Sequence, residues 1–299
     1  MSVRSWWAYR ALPALAARLG PRAESWLPPP SGDVQAGALA AKAAAAAVKD
    51  ERDSAAPEAD PAPFAMRQAR YLLADRVDVY AMTAVGAAGL TRWARIEGDL
   101  PKRGAYLALT LHYGAGMWAH AAFGEAHRAS RWLYAPVAPP ADRWMAWLIQ
   151  RRLEALQRVM GHAPLPTGGS ASQIVRWWQS GGGVMALYDV PVHGHRRCVR
   201  LNTRRLGPVF IPLGLFQMAA QNRVPVYFYR CWISAPDGLR RVRIAPPLCT
   251  DDIGVLLRHA AAWWDEALDH DAAAWHFWPG LSHFQRAPTG AVIHEPDEI

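Results

Sequence analysis

An apolar run of strand length, AYLALTLH at residues 105–112, closes on a histidine, with Gly114 and Gly116 just beyond it. A run of this kind predicts a strand buried on both faces. The chain around it alternates. Before it, MRQARYLLADRVDVYAMTAVGAAGLTRWARIEGDL reads as a helix leading into a short strand or turn. After it, MWAHAAFGEAHRA resumes helical periodicity, and RWLYAPV is a second short strand. PADRWMAWLIQRRLEALQRVMG predicts a long helix, with Trp144, Trp147, Leu148, Leu153, Leu156 and Val159 at helical spacings and Gly161 as its stop. SASQIVRWWQSGG has a serine N-cap and a glycine end. Then come the strands GVMALYDV and GPVFIPLG, the helix LFQMAAQNR, the strand VPVYFYRCWI with its partner LRRVRIAPPL, and a last helix, DDIGVLLRHAAAWWDEALDH.

Strands alternating with helices predict an α/β fold, with a central mostly parallel or mixed sheet flanked by helices. Functional groups of such sheets gather just beyond the C-terminal ends of strands. His112 and Asp189 both fall there.

The first half of the chain divides less evenly. Residues 1–27 read as a basic, aromatic helix. There Trp6, Trp7, Leu12, Leu15 and Leu19 make either an interfacial face among arginines or a plain packing face. Residues 28–63 read as an alanine- and proline-rich linker: PPPSGD is a break, AGALAAKAAAAAVKDERD has helix propensity but little to bury, and SAAPEADPAP is polar. The main domain is expected over 64–299.

Composition narrows the function. A chain of 299 residues with 52% hydrophobic and 19% charged residues is globular and long enough for a sizeable core. Its three cysteines form no CxxC pair, which argues against a zinc site and a disulfide scaffold and fits a reducing compartment. A formal charge of +8 favours an anionic partner, and 15 tryptophans tilt the choice toward a membrane surface. Nucleic acid is not expected, because no RNP-type, zinc-finger or helix-turn-helix signature is present. No apolar stretch approaches the ~20 residues that span a bilayer. The N-terminus lacks the compact apolar core of a signal peptide.

Several residues are candidates for chemistry. His112 is either a general base at a strand end or a structural histidine. Asp189 either orients a histidine or binds a substrate hydroxyl, or else forms a turn before Pro191. Gly114 allows a sharp turn and close ligand approach. HGHRRCVRLNTRR, residues 193–205, packs Arg196, Arg197, Arg200, Arg204 and Arg205 into a predicted loop suited to anion binding. His193 and His195 form an HxH pair without a third ligand nearby, so no metal site is expected. Gly214, at a strand-to-helix transition, either exposes backbone N–H groups to an anion or makes a tight turn.

Four blocks in this order resemble a known family. RIEGDLPKRGAYLALTLHYGAGMW is similar to the stretch "EG … GvilltgHfGnwE" of the late acyltransferases of lipid A biosynthesis. WLYAPVAPPADRWM resembles their "vvyRpldnp.ldrwl", GGGVMALYDVPVHG their "GgvvgllpDq..g", and GPVFIPLGLFQMAAQNRVPVYFYR their "r.a.tptGparLArktgapvvPvfayr". The resemblance covers residues from about 95 to about 245. It implies a glycerolipid acyltransferase-like α/β fold. It also implies transfer of a fatty acyl chain from acyl carrier protein or acyl-CoA to a hydroxyl of a glycolipid or related lipid acceptor. No cofactor beyond the donor is implied, and the expected place is peripheral, on the cytoplasmic face of the inner membrane. The family's base is the histidine of an H-x4-D/E dyad, which falls on His112.

The sequence departs from that pattern at two positions. The dyad's acid position is Met117, and the arginine of the "vvyR" block is Ala135. The family's C-terminal "qWlWlHrRw" is only faintly echoed by AWHFWPGLSHF. A literal H-x4-E at His120 and Glu125 is read as chance, since residues five apart on a helix point about 140° apart. Asp189 is the candidate for the missing carboxylate. The alternative is a catalytically inactive relative that binds acyl donor or lipid.

Overall fold

The computed structural model describes residues 3–24, 27–49, 61–136, 143–192, 197–234, 237–290 and 292–294. The chain opens with helix α1 (Val3–Trp6), a π turn, α2 (Leu12–Leu19) and α3 (Pro21–Glu24), followed by α4 (Ser31–Lys49) and α5 (Pro61–Val85). After α6 (Leu90–Trp93) and strand β1 (Ala94–Glu97) come β2 (Tyr106–Thr110), α7 (Met117–Ala126), β3 (Ser130–Tyr134), α8 (Arg143–Met160) and β4 (Leu165–Pro166). Next are α9 (Ala171–Gln179), β5 (Gly183–Leu187), β6 (Arg197–Thr203), β7 (Gly207–Pro212) and α10 (Gly214–Gln221). The last part holds β8 (Val226–Ile233), β9 (Arg240–Ile244), α11 (Ile253–Asp271), α12 (Ser282–Gln285) and β10 (Val292–His294).

Seven strands form one sheet in the order β1-β9-β8-β2-β5-β3-β4. Every pairing in it is parallel except the β8–β9 hairpin. This is the α/β architecture expected, a mostly parallel sheet flanked by helices. β2 lies between β8 and β5 and is buried along its whole length, as its apolar run requires. Side chains alternate between two core clusters, one on each face. Leu107, Leu109, Val184, Ala186 and Phe228 face α9, α10 and α11; Tyr106, Ala108, Met185 and Tyr229 face α2, α5, α7 and α8.

Two expectations are corrected. Residues 31–49 are a packed helix and not a linker: Ala40, Ala41 and Ala44 are buried in the α11-side core. The alanines and glycine are small enough for α4 and α5 to touch backbone to backbone, and a Cβ on Gly37 would collide with the Ala65 carbonyl. Asp33 of α4 pairs with Arg76 of α5, and burial raises the Asp33 carboxyl above its ordinary value against the pull of that arginine. Secondly, residues 197–205 are not a loop. They hold β6, which pairs antiparallel with β7 and parallel with β10 in a separate small sheet.

Helix ends follow their signals unevenly. Gly161 and Gly181 take the left-handed conformation after α8 and α9. Ser170 stands at the α9 N-cap, but its side chain makes no capping hydrogen bond; its carbonyl takes Gln173 N and Ile174 N instead. Among the described residues, no helix is long and apolar enough to cross a membrane.

Candidate active site

The two residues that end β2 and β5 meet. In the parallel register Thr110 pairs with Leu187, and His112 and Asp189 each stand two residues beyond that pair. His112 Nδ1 lies 2.9 Å from Asp189 Oδ1. The main-chain N–H of His112 donates to both carboxylate oxygens, at 2.9 and 2.8 Å. Trp275 Nε1–H donates to Oδ2 at 2.9 Å. The acid is therefore fully enclosed and met by three donors, while the His112 side chain keeps 28% exposure. With Nδ1–H given to Asp189, the Nε2 lone pair is the one left to accept a proton from a ligand.

The turn that carries His112 is held from several sides. Gly114 has φ +66, and a Cβ there would run into the Cys231 carbonyl of β8. Its glycine requirement therefore comes from the protein's own backbone. Gly114 N donates to Ala274 O at 2.7 Å, and Cys231 Sγ–H donates to Ala115 O at 2.9 Å. His276 donates twice: its main-chain N–H to His112 O at 2.9 Å and its Nε2–H to Gly114 O at 2.8 Å. Burial depresses the His276 pKa, and the Asp75 carboxylate opposes it. Phe277 packs on the His112 ring, 4.3 Å between centroids.

Met117 takes no part in the dyad. It starts α7 and is buried in the core cluster with Ala108 and Met185. His120 and Glu125 do not form a dyad either. His120 is buried and donates Nδ1–H to Gly116 O at 3.0 Å, whereas Glu125 is exposed. Burial pushes the His120 pKa down to about 4.

Of the expected anion-binding residues, the described arginines lie on β6 and the turn that follows it. Arg197 reaches Gln217 on α10 at 3.3 Å, and Arg200 lies on β6 opposite Phe210. Arg204 and Arg205 pair with Asp269 of α11, and their main-chain N–H groups donate to Asp265. Arg196, His193 and His195 lie outside the described residues. Gly214 begins α10, where a Cβ would meet nothing. Phe216 of α10 packs its ring edge-on to Tyr188, the neighbour of Asp189, at 6.0 Å.

A cleft of about 410 Å³ opens at the C-terminal end of β8, the strand next to β2; Tyr71, Trp232, His270 and Asp271 line it, but His112 does not. The hydroxyl of Tyr113 is hydrogen-bonded to His270 Nδ1 at 3.2 Å, so the cleft wall begins one residue from His112.

Sequence reasoning missed Trp275, His276 and Phe277. Their only signal was the faint C-terminal echo in AWHFW, which carried no hint of which strand ends it would touch. No family model matches the chain, and no curated protein matches it significantly.

Proposed function

We propose that this chain is an O-acyltransferase that moves a fatty acyl group from a thioester, on acyl carrier protein or coenzyme A, to a hydroxyl of a glycolipid or related lipid acceptor. The observation that carries the reading is the contact of His112 Nδ1 with Asp189 Oδ1 at 2.9 Å, on adjacent strand ends, beside an accessible ring. His112 Nε2 takes the acceptor hydroxyl proton as the oxygen attacks the thioester carbonyl carbon. The tetrahedral intermediate collapses, the C–S bond breaks, and the imidazolium returns the proton to the departing thiolate. Asp189 keeps the imidazole in the productive tautomer and stabilises its charged form. The products are an ester and a free thiol.

The test is thioester turnover by purified protein with long-chain acyl carrier protein or acyl-CoA and a panel of lipid acceptors. Wild-type protein should release thiol and form ester, and His112→Ala should do neither. Tight donor binding with no turnover dependent on His112 would favour the inactive relative instead. Against that alternative stands the oriented pair, which a mere binding protein has no need to keep.

Peripheral attachment to an anionic membrane belongs to the same proposal. Trp6, Trp7, Leu15 and Leu19 are each 42–53% exposed on the N-terminal helices, while Leu12 turns inward to the core. Beside them arginines and tryptophans alternate. Arg10 lies over Trp144 and Trp147 (5.6 and 4.7 Å), Arg143 over Trp144 (4.8 Å) and Arg151 over Trp147 (5.6 Å). Rings and guanidinium groups together suit the headgroup region of anionic lipid. Trp7→Glu with Leu15→Glu should abolish co-sedimentation with phosphatidylglycerol vesicles. Undiminished pelleting of the double variant would refute this attachment.

A further inference from the structure

We infer that Trp275 and His276 are positioning residues of the His112–Asp189 pair, Trp275 fixing the acid and His276 fixing the turn that carries the base. This rests on the pair acting as the general base proposed above. Four consecutive residues, Ala274 to Phe277, each meet a different part of the site, though Trp275 stands 86 residues beyond Asp189 and His276 stands 162 beyond Gly114. Ala274 takes Gly114 N, Trp275 holds Asp189, His276 holds two turn carbonyls and Phe277 covers the His112 ring.

The geometry separates orientation from mere packing. A carboxylate turns easily about its last torsion, whose preference is broad and two-fold. Asp189 Oδ1 serves His112 Nδ1, and the His112 main-chain N–H is shared between both oxygens, so neither contact alone stops that rotation. The Trp275 N–H on Oδ2 does, because it pins the oxygen that His112 Nδ1 does not use. Rotation would leave Nδ1–H without its acceptor and free the ring to take the other tautomer.

His276 acts on the main chain. Its two hydrogen bonds grip the carbonyls of residues 112 and 114, on either side of Tyr113, and thereby fix the direction in which His112 leaves the strand. The clasp is itself anchored. Asp271 Oδ1 caps Ala273 N at 3.1 Å, and Gln68 Nε2 of α5 donates to Trp275 O at 3.1 Å.

The experiment uses full-length protein carrying Trp275→Phe, His276→Ala or His276→Gln, with His112→Ala as reference. Steady-state kinetics are combined with proton NMR of the His112 Nδ1–H. Trp275→Phe should lower kcat about 10- to 100-fold at unchanged KM, the loss typical of a small misplacement of reacting groups. The His112 Nδ1–H resonance should move upfield or broaden. His276→Ala should lower kcat in the same way. His276→Gln, whose amide N–H reaches about as far as Nε2–H, should restore it. Thermal melts confirm that each variant is folded.

Wild-type kcat in folded Trp275→Phe and His276→Ala, with His112→Ala inactive, would overturn the inference and leave the general base standing. If His112→Ala kept full turnover, the base assignment would fall. The resonance would then decide the positioning by itself, and an unchanged His112 Nδ1–H in Trp275→Phe would overturn it.

Discussion

Replacing Asp189 by asparagine tests the site most directly, because the substitution keeps shape and changes only which atoms donate. The carboxylate accepts from His112 Nδ1, from His112 N and from Trp275 Nε1, all at 2.8–2.9 Å. An amide offers one oxygen and one NH2. If its oxygen faces His112 Nδ1–H, its NH2 meets the Trp275 N–H, and a buried donor is left without an acceptor, at a cost of about 1–3 kcal/mol. If the amide turns over, its NH2 faces Nδ1 and selects the tautomer with the proton on Nε2. That imidazole cannot take a proton from an acceptor hydroxyl.

The second orientation is the damaging one. The equivalent change in a serine protease lowers kcat about 10⁴-fold through the wrong tautomer, equivalent to roughly 5 kcal/mol in the barrier. The two orientations compete, so the expected loss in Asp189→Asn is about 10³- to 10⁴-fold in kcat. KM should be unchanged, since the acid is enclosed and touches no ligand. The assay is thiol release from a long-chain acyl-CoA or acyl carrier protein with saturating acceptor, alongside a thermal melt. A folded Asp189→Asn protein with wild-type kcat would refute the assignment of the acid, and with it the argument that register on β2 and β5 builds the pair.

Three other perturbations probe the surroundings. Gly114→Ala places a side chain at φ +66, which alone costs about 1–3 kcal/mol, and drives its Cβ into the Cys231 carbonyl. Its melting temperature and its turnover should both fall, and wild-type stability would show that β8 does not dictate this turn. His120 has a pKa near 4 in the folded protein, below the ordinary 6.5, because burial disfavours its charge. On acidification the unfolded chain binds that proton first, so the contribution of His120 is whole above pH 6.5 and is lost as pH falls toward 4. The loss amounts to about 3 kcal/mol. Denaturant midpoints at pH 7 and pH 4.5 should differ less in His120→Asn than in the wild type, and equal differences would contradict the argument. Met117→Glu restores the literal family dyad yet puts a carboxylate into the core. It should destabilise by about 3 kcal/mol or more and should not rescue Asp189→Asn; rescue would mean that α7 can turn this position toward His112.

The strands were legible because burial on both faces leaves an apolar run, as at 106–110 and 183–187, that needs no partner to be recognised. Both members of the dyad were legible as strand ends for the same reason. Asp189 was named as the carboxylate for His112 from its strand-end position; the adjacency of their strands was not legible, because β2 and β5 are separated in sequence by α7, β3, α8, β4 and α9, and periodicity says nothing about strand order. α4 was misread because alanine gives a weak hydrophobic signal, although its smallness is what lets the helix lie close against α5. The loop expected over 197–205 is strand β6 and a turn, and the partners of its arginines were hidden for a related reason. The acids that pair with Arg204 and Arg205 lie on α11, 60 to 65 residues on, and charge in a sequence shows no partner.

What a histidine base requires is a carboxylate on one ring nitrogen and room at the other, and that requirement does not specify where along the chain the carboxylate arises. In the resembled pattern it comes five residues later. Here that position is apolar and closes the core between α7 and the sheet, with Met117 beside Ala108 and Met185. The acid comes instead from the neighbouring parallel strand, two residues past the same register pair as the histidine. The Asp189 carboxylate, just past the end of β5, is held by the His112 main-chain N–H and by Trp275, so its orientation does not depend on how α7 is angled. Met117 and Ala135 together motivated the reading of an inactive relative. With Asp189 on the His112 ring, Met117 is free to pack in the core beside Ala108 and Met185.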